Sequence, residues 1–319
     1  MKKRNYLIVC LTVLLSLSAI SCQTDPVVPK VEVNSESSLR DAIANESNSI
    51  ITLTGDISLS SVLSIDKKVT IDLNGKTIEN AASDGSAILV NGGDLTVTGN
   101  GTVKAGIAAV QVVNEGKATI ESGKYIGTFA VAAGSFNSKT GKFSNGSVVI
   151  NNGEFEAVEF AVPVWGKSSA VINGGTFSAK DNAVIGTNGS SPLSAAPYEI
   201  TINGGVFNGQ ITSSGYIACG IYMANTGKVT LNGGVFNIEG GVGILVRSGE
   251  LTANKAEINL TSKAGLDSGK IGDSKVIIAA GSSQIVVDDR AGYPGEAPKV
   301  AVNKTSYEPK DINGNAYTS

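Results

Sequence analysis

From about residue 50 onward, short runs in which every second residue is aliphatic are separated by glycine and asparagine, as in Val69-Thr70-Ile71 and Ile200-Thr201-Ile202. Alternation of period two over so few residues predicts strands with one buried face. The runs recur together with their turns. VVINNGEF (148–155), AVINGGTF (170–177), ITINGGVF (200–207) and VTLNGGVF (229–236) are clear copies of one unit, and ATIESGKY (118–125) is a weaker copy. VTIDLNGKTI (69–78) and LTVTGNGTV (95–103) are looser relatives. Gly123, Gly153, Gly175, Gly205 and Gly234 mark one place in the unit, at spacings of 30, 22, 30 and 29 residues. A unit of that length is too short for a propeller blade and has no helical hydrophobic period. It suits one coil of a parallel β-helix, with three short strands and three turns.

The alternation assigns side chains to columns. Ile120, Ile150, Ile172, Ile202 and Leu231 form one inner column, and Tyr125, Phe155, Phe177, Phe207 and Phe236 a second. Asn151, Asn173, Asn203 and Asn232 then stack as an amide ladder at the turn, expected to satisfy buried polar groups. A further strand in each coil is read in AILVN (87–91), AVPVWG (161–166), AVIGT (183–187), GIYMAN (220–225) and GILVR (243–247). Ile88, Val162, Val184, Ile221 and Ile244 are assigned inward, as are Val90, Val164, Gly186, Met223 and Val246. The first outward column is then Leu89, Gln111, Ala132, Pro163, Ile185, Tyr222 and Leu245; the second is Asn91, Val113, Gly134, Trp165, Thr187, Ala224 and Arg247. This face is apolar, lacks acidic residues and carries the single tryptophan. Either it is a binding groove, with Trp165, Tyr222, Arg247 and Gln111 as candidate ligand contacts, or insertions at 135–147, 188–198 and 208–218 cover it.

At the front, Ser35 is placed to cap a helix over 36–45, with Leu39, Ala42 and Ile43 on one face. Such a helix would cover the first coil of the 33–290 solenoid, whose edge is otherwise open. Residues 22–32, with Pro26 and Pro29, read as an extended tether. Residues 291–319 lose the glycine rhythm and read as a C-terminal cap or tail, with Val300-Ala301-Val302 as a last strand. Lys2, Lys3 and Arg4 precede an apolar run from Leu7 to Leu17, the layout of an export signal over 1–21 and too short for a membrane span. Ala19-Ile20-Ser21-Cys22 resembles the lipobox of bacterial lipoproteins, with Ala19 where that family usually has leucine. The resemblance implies lipidation of Cys22, anchoring in a membrane, and, with Gln23 following, an outer-membrane location.

Composition narrows the chemistry. The chain has no histidine and three cysteines, of which Cys219 is left without an intrachain partner and is expected to fill a small core site. Neither a metal site of the usual zinc kind nor any cofactor is expected, and Ser-His and Cys-His nucleophile pairs are excluded. Net charge is −3, and −6 without Lys2, Lys3 and Arg4, which argues against nucleic acid as a partner. The repeats, and VTIDLNGKTI after a short amphipathic helix, resemble the right-handed parallel β-helix, or pectin-lyase-like, superfamily over about 33–290. That superfamily includes lyases, hydrolases and adhesins. Its enzymes imply clustered carboxylates, which the strand copies lack; Asp288-Asp289-Arg290 is a dense cluster that reads as a solvated turn. The functional expectation is a surface protein engaging a polysaccharide or host-surface ligand along the apolar face. The alternatives are a polysaccharide lyase or glycoside hydrolase, and a structural envelope protein.

Overall fold

A computed structural model describes residues 29–45, 50–187, 197–210, 218–261, 284–289, 297–303 and 306–318, and the backbone of 268–271 and 274–277. Its strands stack into a parallel β-helix, all-β apart from one helix among the described residues. Three faces run along the stack. The first has eleven strands, from Lys30–Val33 to Lys299–Val302. The second ends at Glu257–Thr261. The third begins with Leu63–Ile65 and continues through Val162–Pro163, Ala218–Met223 and Gly241–Val246 to Lys310–Asp311. The ten-residue strand Lys124–Ala133 turns the corner from the second face to the third.

Register places like on like. Ile71, Val97, Ile120, Ile150, Ile172, Ile202 and Leu231 are successive partners on the first face, each fully buried. On the second face the rings of Tyr125, Phe155, Phe177, Phe207 and Phe236 stack at centroid separations of 5.2, 4.5, 4.8 and 4.5 Å, with planes within 12°. Each contact adds about 1 kcal/mol beyond burial. Tyr125 stands at the end of the column, and its hydroxyl donates to Ser122 O at 2.8 Å. The turn between these faces needs both glycines of Asn-Gly-Gly, for different reasons. A Cβ on Gly204 would lie 2.7 Å from Asn173 O of the coil beside it, whereas Gly205 has φ +109°, a conformation that costs other residues energy.

The amide ladder forms, but outside the core. Asn173 donates to Asn151 (2.7 Å), Asn203 to Asn173 (2.8 Å) and Asn232 to Asn203 (2.9 Å), and Asn173, Asn203 and Asn232 are exposed. The turn swings them past the last inward residue, so they crosslink coils rather than satisfy a buried interior.

The helix Glu36–Asn45 buries Leu39, Ala42 and Ile43, and Ser35 Oγ accepts from Ser38 N–H. Arg40 holds it to the third face's first strand through Ser61 O and Val62 O, and Lys67 donates to Ala44 O. The tether is shorter than its composition suggested, because Lys30–Val33 pairs with Ile50–Leu53 as the edge strand of the first face. At the other end the stack runs past residue 290. Lys299–Val302 pairs with Glu250–Ala253, and Lys310 and Asp311 pair with Val286 and Val287. Buried Tyr307 ties the C-terminal segment to the coil: its hydroxyl accepts from Ala256 N–H at 2.7 Å and donates to Ala256 O at 2.6 Å.

Candidate ligand-binding face

The third face carries the residues singled out as ligand contacts. Its inner column is Ile88, Val110, Val131, Val162, Ile185, Ile221 and Ile244. Ile185 is therefore inward and Gly186 takes the outward place, so the assignment is corrected by one residue over 185–187, while Val184 lies in the core beside the inward Gly209 as assigned. The cause is local. Phe160 lies against Gly186, where a Cβ would meet the ring at 2.4 Å, so any larger residue would force the ring to move. Thr187 falls in the second inner column, and its Oγ1 accepts from Ala224 N–H at 3.0 Å.

The outward column runs Leu89, Gln111, Ala132, Pro163, Gly186, Tyr222 and Leu245. Leu89 and Gln111 are half-buried; from Ala132 onward the column is buried. The strand Ser268–Ile271 comes close to Ala218–Met223. The structure brings Tyr222 and Arg247 together: Arg247 Nη1 donates to the Tyr222 hydroxyl at 2.9 Å, and its Nε is 3.5 Å from Asp288 Oδ2. All three are buried, so Asp288 belongs to an enclosed ion pair rather than a solvated turn. An ion pair of this kind adds little net stability, because the cost of taking both charges out of water offsets their attraction.

Trp165 and Gln111 lie apart from that cluster. Trp165 is half-buried, and its ring stands edge-on to Phe129 at 5.2 Å and 81°. Phe129 stacks on Phe160 at 6.2 Å. The three half-buried rings form a ledge over the buried face of Ala132, Pro163 and Gly186. Two devices build it. First, Val158 and Glu159 together oppose Thr128, a bulge that re-aims Phe160. Second, Gly134 and Gly166 turn the chain with positive φ, and the hairpin Ser135–Asn137 with Lys142–Ser144 rises beside Trp165. The ledge was not evident in sequence because Phe129 and Phe160 sit outside the repeated unit. The phenylalanine shared at the corner of two adjacent coils was the available signal.

Beside the ledge, Glu159 is half-buried, and burial together with the charge of Asp181 holds its carboxyl above the usual range. Cys219 is a free, buried thiol in the core, pushed up to about 12 by burial. Among the described residues no three cysteine, aspartate or glutamate side chains converge on one point, and no helix is long and apolar enough to cross a membrane. Cys22 and the export signal lie outside the described residues. Protein-family models, curated proteins and solved structures offer no match to this chain.

Proposed function

We propose that the chain is a bacterial lipoprotein, anchored to the outer membrane through Cys22, whose β-helix binds a surface glycan at the ledge of Phe129, Phe160 and Trp165. The ledge carries the reading: three half-buried rings fixed by edge-on and stacked contacts on a rigid stack. A pyranose presents a face of C–H bonds that packs well against such rings. The repeats and VTIDLNGKTI support placing the chain with pectin-lyase-like proteins, and the Cys22 segment supports the anchor. Gln111, Tyr222 and Arg247 enter differently: Gln111 flanks the face, while the Tyr222–Arg247–Asp288 cluster braces it from within.

The test is a glycan array read with the chain and with Trp165→Ala. A bound glycan whose signal falls at least tenfold in Trp165→Ala, with the circular dichroism spectrum unchanged, supports the ledge. Equal binding by both proteins refutes it. Glu159 and Asp181 beside the rings favour a second reading, glycoside cleavage by a carboxylate pair. Release of shortened products by the chain, abolished in Glu159→Gln, would move the assignment there.

A further inference from the structure

A second recess lies on the second face, toward the C-terminal end of the stack. It holds about 380 Å³ and crosses four successive coils. Its two walls are neighbouring outward columns. Ser178, Asn208 and Asn237 form one, and Lys180, Gln210 and Glu239 the other. Residues two apart on a strand are separated by roughly 7 Å, which sets the width. The floor is strand backbone, because the residues between the walls, Ala179, Gly209 and Ile238, are buried and point inward.

Three features select a ligand. The first is repetition. Asn237 donates to Asn208 at 3.0 Å and Asn259 to Asn237 at 3.1 Å, so identical amides recur once per coil. Coils are about 4.8 Å apart, and a pyranose unit lengthens a glycan by nearly the same step. The second is unspent capacity. An amide has two N–H groups and two acceptor sites; at Asn237 the ladder uses one of each, leaving a donor and an acceptor that match adjacent sugar hydroxyls. The third is charge. Lys180 and Glu239 offset each other, so the recess has no net attraction for a polyanion.

We infer that this groove binds a linear, uncharged polysaccharide running along the stack, one sugar per coil. The inference is independent of the ledge, which is built from other residues on the third face.

The experiment is calorimetric titration of the full chain carrying Cys22→Ser. Ligands are gluco-, manno- and xylo-oligosaccharides of two to six units, with oligogalacturonate for comparison. Expected is binding in at least one neutral series, rising tenfold or more from two units to four and level beyond, with oligogalacturonate weaker. Gln210→Ala, an exposed change with no packing role, should weaken binding several-fold, and Gln210→Ala with Asn237→Ala at least tenfold. Thr230→Ala on the first face should leave it unchanged. No neutral series binding, no dependence on length, or equal binding by oligogalacturonate overturns the inference. So does binding lost in Trp165→Ala but untouched by the groove variants, which would assign the glycan to the ledge alone.

Discussion

Glu159 differs from a carboxylate on a solvated strand in two ways. It sits in a bulge that leaves it half-buried, and Asp181 of the following coil faces it with a like charge. Both disfavour the ionised form, burial more than Asp181. A carboxyl whose folded-state value is raised binds its proton more tightly folded than unfolded. The folded state therefore loses stability as pH rises from the ordinary glutamate range through the raised value. Glu159→Gln removes that penalty. The variant should melt above the parent at pH 7, by a margin that closes as pH falls toward 4. A margin independent of pH would show that the effect is packing and not ionisation. The raised value was not legible in sequence, because neither the bulge nor the closeness of Asp181 follows from local pattern.

Among the elements, the ring column and the amide ladder have the same repeat and different energetic weight. Phe177 is fully buried between two rings, at 4.5 and 4.8 Å. Phe177→Ala should cost roughly 3–5 kcal/mol, as for other large-to-small core changes. Asn203 makes two ladder bonds in solvent; Asn203→Ala should cost about 1 kcal/mol. Urea unfolding of both variants measures the contrast, and similar losses would mean that the ladder, rather than the core, holds the coils together. The two columns were readable from sequence because identical residues recur at identical places in the unit. The strand at 183–186 was not. Side chains alternate with period two, so a slip of one residue exchanges faces, and Ala-Val in both AVPVWG and AVIGT aligns equally well in the wrong register. Contact between Phe160 and Gly186, three residues apart in the pairing, accompanies the other choice.

At the scale of the whole molecule, the helix Glu36–Asn45 packs against the first strands of the stack and Tyr307 bonds to Ala256 toward its other end, while Lys30–Val33 and Lys299–Val302 are the terminal strands of the first face. The seven residues 23–29 precede the first strand at Lys30 and span at most roughly 25 Å, so an acylated Cys22 would hold the body close to the membrane. Cys22→Ser should abolish incorporation of labelled palmitate and release the protein from the membrane fraction, with its circular dichroism spectrum intact. Retention of label and membrane association would show that the anchor lies elsewhere.

The sequence by itself determined the coil, its length, the inner columns of the first two faces and the helix at its front, because each follows from periodicity and, in the coils, from glycine at fixed offsets. The tertiary structure decided what the outer face became. Pro163, Tyr222 and Leu245 read as an open apolar stripe, yet they are buried, and Arg247 found its acid in Asp288, 41 residues away. Exposure depends on which distant segment lies across a face, and the ledge and groove arise between coils. A repeat specifies how each coil folds on the next; it carries no record of the irregular residues, such as the bulge at Val158 and Glu159, that aim side chains outward.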